Sequence, residues 1–148
     1  MTIPTEDHEQ EVLARWLDSV GVLWMHPPNG HVFTSVGGRD RRRFAKLRRL
    51  RKLGLKPGVV DAIIFTPPPA PSLVKHEIAW RGAALELKRQ RGPKGGTSHC
   101  AEFTSEEKWW LTNLHWNGWL VPLEDGVPVP LYGAEEAIEW LRTVGGYA

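Results

Sequence analysis

The chain has 148 residues, of which 41% are hydrophobic and 24% charged, with a formal net charge of +2. These proportions are typical of one globular domain with a sizeable core, so we expect a single domain over residues 1–148. The polar start, the lack of a long apolar run and the single Cys100 exclude a signal peptide, a membrane span and an internal disulfide, and we expect a cytoplasmic protein without a membrane partner.

The first predicted element is a helix that begins after Thr5. Threonine is a preferred N-cap, and acidic residues in the first turn suit the helix dipole. Apolar residues then recur at helical spacing until Gly21, which is expected to end the helix. Glu9 lies one turn before this apolar face and therefore near its edge. The apolar positions are Val12, Leu13, Trp16, Leu17 and Val20.

A short strand over residues 22–25 and a turn-rich segment over 26–31 are expected next. The segment contains two prolines and Asn29-Gly30, which favour tight turns. His26 and His31 have no cysteine pair or acidic partner at ligand spacing, so they do not predict a zinc site.

Residues 39–56 contain ten of the 19 lysines and arginines and only one acid, Asp40. Apolar residues three apart predict a helix over 39–53 that is docked on the body through Phe44, Leu47, Leu50 and Leu53. A charge run can be a solvated face, but charge of one sign favours contact with phosphates. We expect this helix to follow a DNA backbone, with contacts from Arg41, Arg42, Lys46, Arg48, Arg49, Lys52 and Lys56.

Two strands follow that can bring acidic and basic groups together. Residues 59–65 are mostly β-branched or aromatic and are interrupted only by Asp61, which predicts a buried strand. Residues 83–88 alternate, so the two leucines face one way and Glu86 and Lys88 the other. If these strands pair, Asp61 joins that second face.

Two carboxylates and an amine suit metal-dependent cleavage of a phosphodiester. Carboxylate oxygens hold a divalent cation, which activates water and offsets charge on the phosphate. A neighbouring lysine can orient the nucleophile or stabilise the added charge. The same spacing also fits an exposed aspartate and an ordinary surface Glu–Lys pair.

Residues 66–72 contain four prolines and predict a loop. Residues 73–80 either form a hairpin-like insert with the preceding strand or continue towards Glu86, and we favour the insert. Residues 89–101 are basic, rich in glycine and without periodicity, which is typical of a flap beside an active site or of an inert connector.

The last third predicts a helix, a strand and a helix. Thr104 and Glu107 form a capping box for a helix that ends near Gly118. Four tryptophans, Trp109, Trp110, Trp116 and Trp119, are expected in core or dimer packing, with at most one stacking on unpaired bases. A strand at 119–123, an extended connector at 127–130 and a helix at 134–144, with Ala137, Ile138 and Leu141 facing inward, complete the chain.

Residues 54–61 (Gly-Leu-Lys-Pro-Gly-Val-Val-Asp) and Glu86-Leu87-Lys88 together resemble the VRR-NUC (virus-type replication-repair nuclease) family of the PD-(D/E)XK nuclease superfamily. The resemblance extends to Glu9-Gln10, Arg15-Trp16, Pro28-Asn29-Gly30 and residues 104–111. Two positions depart from the pattern. Val60 replaces the usual proline, and Lys108 stands where the family's Ser-x-x-Gln has glutamine.

The resemblance implies an α/β, restriction-endonuclease-like PD-(D/E)XK core with a central mixed β-sheet flanked by helices. It also implies a DNA endonuclease that depends on Mg²⁺ or Mn²⁺. Asp61, Glu86, the Leu87 carbonyl and Glu9 would bind the metal, and Lys88 would activate or orient the attacking water. Glu6 and Glu11 are weaker rivals to Glu9.

DNA contacts would also come from Asn29, Arg89 and Lys108, with His26 near the DNA or the nucleophile. The resemblance implies a homodimer that acts on branched DNA, such as four-way junctions, in a bacterial or phage-infected cell. A noncatalytic nucleic-acid-binding module using residues 39–56 is the alternative, and an RNA-cutting member also remains open.

Overall fold

The chain is organised around a strand run over residues 83–88. The structure is a computed structural model that describes residues 3–27, 48–53, 56, 58–69 and 79–148. Its helices are α1 (Glu6–Ser19), α2 (described over 48–52), α3 (Ser105–Trp116) and α4 (Ala134–Thr143). Its strands are β1 (Trp24–Met25), β2 (Ala62–Ile64), β3 (Ala83–Leu85), β4 (Leu87–Lys88), β5 (Leu123–Glu124), β6 (Val127–Pro128) and β7 (Leu131–Tyr132).

The strand run has an antiparallel neighbour on one side and parallel neighbours on the other. β2 pairs antiparallel with both β1 and β3, and Ala62 lies opposite Leu85. On the other side β4 pairs parallel with β7. Leu120 forms a parallel bridge beside β3, and its carbonyl accepts a hydrogen bond from Ala84 N at 2.9 Å. The sheet is therefore mixed, which confirms the predicted α/β fold class.

Helices cover both faces of this sheet. α1 and α4 pack on one face, where the larger core contains Leu13, Leu85, Leu87 and Leu141. α3 packs on the other face, where Leu111 joins a smaller core with Val60, Ala84 and Val121. Because side chains alternate along a strand, the leucines of the 83–88 run face α1 and α4, and the residues between them face α3.

The helix ends follow the local signals in the sequence. The Thr5 hydroxyl accepts a hydrogen bond from His8 N at 3.3 Å, as expected of the N-cap of α1. The predicted capping box of α3 is present, and Gly118 follows that helix with a φ of 83°. α4 buries Ala137 and Leu141 as predicted.

Several strand predictions are wrong in extent or kind. The strand expected over 119–123 is reduced to an isolated bridge at Leu120 and to Leu123, the first residue of β5. The strand expected over 59–65 is limited to β2, because the backbone bends at Asp61. The connector expected at 127–130 begins instead with β6, which forms a hairpin with β5. Asp125 and Gly126 both have positive φ angles, 50° and 78°, and this Asp-Gly pair is the hairpin turn that the sequence contained.

Some predicted apolar positions lie outside the core, and for two of the four tryptophans packing in a dimer stays a prediction. The side chains of Trp109 and Trp116 are 59% and 81% exposed, whereas Trp110 and Trp119 pack against the smaller core. Leu53 is 73% exposed and does not dock α2 on the body. A tryptophan cluster in sequence says little about burial, because only part of a helix surface can face the sheet.

Several predictions lie outside the described residues. These concern the start of the basic helix, most of the insert at 73–80, and the side chains of Asn29, Arg41, Arg42 and Lys46. Where the structure describes helices, each is too short or too polar to cross a membrane.

Candidate active site

Asp61, Glu86 and Lys88 lie together where β2 and the 83–88 run separate. Their pairing ends at Ala62, and the Asp61 carboxylate then accepts a hydrogen bond from Leu87 N at 2.9 Å. Lys88 Nζ donates to Glu86 Oε1 at 2.8 Å. All three residues are buried, with Glu86 and Lys88 each 2% exposed. The structure therefore brings together the two carboxylates and the amine that the sequence singled out.

Glu107 of α3 is a fourth member of this cluster, and sequence reasoning gave it only a capping role. Lys88 Nζ lies 3.1 Å from the Glu107 carboxylate, which also accepts a hydrogen bond from Thr104 N at 2.9 Å. The signal was present in the sequence. Thr104-x-x-Glu107 has the spacing of the family's Ser-x-x-Gln. An alignment that starts one residue later, at Ser105, places Lys108 at the glutamine position instead. The Lys108 side chain is exposed on α3.

The cluster carries more acidic than basic groups in a buried place. Burial raises the pKa of Glu86 to about 10, and the nearby Asp61 charge acts in the same direction. Burial also raises the pKa of Asp61, although the Leu87 hydrogen bond opposes the change. Burial alone would lower the pKa of Lys88, but Glu86 and Glu107 outweigh it and raise that pKa. One ammonium therefore faces three carboxyl groups.

The donor atoms fit a hard divalent cation. Glu86 Oε2 is buried and has no hydrogen-bond partner among the described residues. The carbonyls of Glu86 and Lys88 accept bonds from Leu131 N and Gly133 N, so the intervening Leu87 carbonyl points to the opposite edge, towards Asp61. Carboxylate and carbonyl oxygens are ligands that Mg²⁺ and Mn²⁺ accept.

This donor set includes only two acidic side chains. Over the described ranges, no three His, Cys, Asp or Glu side chains form a group that could hold a metal ion. A cation at Asp61 and Glu86 would therefore complete its shell with the Leu87 carbonyl, with water and with substrate oxygens. Mg²⁺ commonly keeps several waters in sites of this kind.

Glu9 has a structural partner that its sequence position did not indicate. Its side chain is buried, and its Oε2 accepts a hydrogen bond from Ala134 N at 2.8 Å. Ala134 is the first residue of α4, whose N-cap Gly133 supplies no side-chain hydrogen bond. Glu9 therefore caps α4 from α1. Its role as a metal ligand stays a prediction.

Two further predicted site residues also have partners in the structure. His26 Nδ1 lies 2.6 Å from the Asp61 carbonyl oxygen, which places this ring beside the cluster. The Arg89 guanidinium donates to the carbonyls of Pro4 and Ile3 at 2.8 and 2.9 Å, and so holds the start of α1 against the end of β4. Contact of Arg89 with DNA stays a prediction.

The described part of the basic helix is open to solvent. Arg48, Arg49 and Lys52 of α2 are exposed, and so is Lys56 in the segment that leads to Asp61. These side chains are free of the core and can reach a phosphate backbone. Their contact with DNA likewise stays a prediction.

The mixed sheet between helices, with Asp61 and Glu86 where its strands separate, is an α/β fold. A solved structure described as a VRR_NUC domain protein has the same fold, with a TM-score of 0.60 and 17% sequence identity over 99% of this chain and 93% of that one. Compared by sequence, the chain matches no family model and no curated protein. The fold that the resemblance implied is confirmed.

Proposed function

We propose that this protein is a DNA endonuclease that hydrolyses phosphodiester bonds and depends on Mg²⁺ or Mn²⁺. The observation that carries the proposal is the buried cluster of Asp61, Glu86 and Lys88, in which Glu86 Oε2 has no hydrogen-bond partner among the described residues. A buried acidic oxygen without a partner is costly unless a ligand satisfies it. The VRR-NUC-type fold supports the same assignment.

The metal would be held by Asp61, Glu86 and the Leu87 carbonyl. When bound, a divalent cation lowers the pKa of its water and stabilises charge on the phosphate. Asp61 is positioned for this task by its hydrogen bond from Leu87 N, which fixes one carboxylate oxygen. Glu9 would add a ligand or position water only through the oxygen that does not cap α4.

Lys88 would act as a hydrogen-bond donor that is held in a fixed position. Its ion pairs with Glu86 and Glu107 hold it as an ammonium, which cannot accept a proton from water. An ammonium has three N–H groups, and these two carboxylates take two of them. The third can donate to the attacking water or to a phosphate oxygen, where it would orient the nucleophile and stabilise the added negative charge.

DNA is the proposed substrate, and branched DNA its preferred form. The exposed basic residues of α2 supply sequence-independent attraction to phosphates. Paired cuts at a four-way junction need two active sites, which a two-fold homodimer would provide. A monomer by light scattering that cuts linear and branched DNA equally would count against this part of the proposal.

Cleavage of plasmid and junction DNA, with and without Mg²⁺ or Mn²⁺, tests the activity. We expect Glu86→Ala and Lys88→Ala to abolish cleavage while DNA binding survives. Glu86→Gln keeps the shape of the side chain, and its thermal melting separates lost chemistry from lost folding. Glu124→Gln is the matched control, because the Glu124 side chain is exposed in β5 and belongs to none of the candidate site residues.

Full activity of Glu86→Ala or Lys88→Ala would remove the active-site assignment. The competing hypothesis, a noncatalytic nucleic-acid-binding module, predicts DNA binding that is indifferent to metal and no cleavage of any substrate. Parallel reactions with RNA of the same sequence would identify an RNA-cutting enzyme.

A further inference from the structure

An open pocket lies beside the first turns of α3. Its volume is about 520 Å³, and its walls are Lys56, Ser105, Glu106, Trp109 and Trp110. The pocket therefore combines two indole rings, one ammonium and one carboxylate. None of these five residues belongs to the cluster of Asp61, Glu86, Lys88 and Glu107.

Trp109 is exposed to solvent, and the neighbouring Trp110 holds its ring in place. Its side chain is 59% exposed, although tryptophan usually buries most of its surface. Its ring meets that of Trp110 nearly edge to face, with centroids 5.4 Å apart and an interplanar angle of 86°. Trp110 packs in turn against the smaller core. A flat ligand that stacks on Trp109 would thus meet a ring that is already held in place.

The pocket adjoins the candidate active site through α3. Glu106 lines the pocket, whereas Glu107, the next residue, contacts Lys88. Gly58 lies against the same turn, and a Cβ atom at that glycine would clash with Glu106 Cβ. The pocket and the cluster are therefore neighbours at the first turn of α3, where Gly58 packs against Glu106 and Glu107.

The lining matches a nucleotide better than a purely apolar ligand. An indole face stacks on any base, and Lys56 can contact a neighbouring phosphate. Glu106 accepts a hydrogen bond from the Ser105 hydroxyl at 3.0 Å, and its carboxylate can also accept one from the exocyclic amine of a base. The exposed Arg48, Arg49 and Lys52 of α2 precede Lys56 in the sequence and add positive charge to the protein surface.

We infer that this pocket binds an unpaired base of the substrate strand, stacked on Trp109, with Lys56 on an adjacent phosphate. Bases inside a duplex are covered on both faces, so only an unpaired or extruded base exposes a face to an indole. The pocket would thereby favour single-stranded or branched DNA over intact duplex. This inference rests on the proposed nuclease function and gives it a physical source of structure selectivity.

Equilibrium binding without divalent metal tests the inference apart from catalysis. The probes are a fluorescein-labelled 12-nucleotide single-stranded DNA and the blunt duplex of the same sequence, followed by anisotropy at low salt. Trp109→Ala should weaken single-strand binding about 5- to 150-fold, the range expected for one lost stacking contact. Duplex binding should change less than about twofold, because no base face is available there.

Trp109→Phe should retain most single-strand affinity, because it keeps an aromatic face. Trp116→Ala is the matched control, since this tryptophan is 81% exposed at the other end of the same helix and does not line the pocket. Wild-type single-strand affinity in Trp109→Ala would overturn the inference, and so would equal losses on both probes. Thermal melting of each variant shows whether folding is intact.

The nuclease proposal and the proposal that the pocket binds an unpaired base can be refuted independently of each other. If the protein cuts no substrate but Trp109→Ala selectively loses single-strand affinity, the stacking pocket stands and the nuclease proposal falls. If the wild-type protein cuts DNA with metal and Trp109→Ala binds both probes as the wild type does, the reverse holds.

Discussion

Replacing Lys88 with methionine tests the physical basis of the buried cluster. The substitution removes the charge and keeps an unbranched side chain of similar length. In the described part of the chain, the recorded ion pairs of Glu86 and Glu107 both end on Lys88, at 2.8 and 3.1 Å. Without the ammonium, these two carboxyl groups stay buried beside Asp61 and lose the cation with which both are paired.

The expected cost follows from that burial. Removing one partner of a buried ion pair typically costs about 3–5 kcal/mol, because the other charge remains out of water. Glu86 is only 2% exposed, so solvent offsets little of this cost, but its raised pKa lets it take up a proton, which places the expected loss at the lower end of that range. For a domain of this size, each kcal/mol lowers the melting temperature by about 2–4 °C. We therefore expect Lys88→Met to melt roughly 10 °C below the wild type.

Urea unfolding at pH 7 with EDTA, followed by circular dichroism, measures the effect. Lys94→Met is the matched control, because Lys94 is exposed in the loop after β4. A loss below about 1 kcal/mol in Lys88→Met, with an unchanged m-value, would refute the argument that Lys88 balances buried charge.

Adding Mn²⁺ extends the same experiment to the metal site. A ligand that binds only the folded protein stabilises it by about 2.7 kcal/mol at a hundred times its Kd. Mn²⁺ should therefore recover much of the loss in Lys88→Met, since a cation again faces the carboxylates. Equal stabilisation of a Glu86→Gln variant by Mn²⁺ would contradict the metal assignment.

Glu9→Ala should lower the free energy of unfolding by about 1 kcal/mol in urea, because the N-terminus of α4 loses its hydrogen-bond acceptor. Glu9→Gln keeps an oxygen there and should lose less, so equal losses in the two variants would argue against the cap. Reversing the charges of Arg48 and Arg49 to glutamate should weaken DNA binding at low salt and reduce the salt dependence of log Kd by about 2, and an unchanged slope would exclude phosphate contacts. Gly58→Ala should lower the free energy of unfolding by more than about 1 kcal/mol, measured by thermal melting. The φ of 64° and the close approach to Glu106 both disfavour a Cβ atom at this position. An unchanged melting temperature would contradict the described packing.

Signals confined to one turn or one strand were readable from the sequence. Thr5 and the Thr104–Glu107 capping box fixed the starts of α1 and α3, because a cap depends on residues within four positions of each other. The alternation over 83–88 correctly separated the leucines from Glu86 and Lys88, because a strand repeats every two residues. Family-level similarity then led to the right fold.

Contacts between distant segments were decided only by the tertiary structure. Glu107 reaches Lys88 across 19 positions and Glu9 reaches α4 across 125, and neither distance is encoded in a local pattern. Exposure of Trp109 was equally hidden, because hydrophobicity alone does not say which side of a helix faces the sheet. The sequence by itself determined which residues could carry the chemistry. Packing determined which of them meet, because burial and charge balance depend on every segment that surrounds a site.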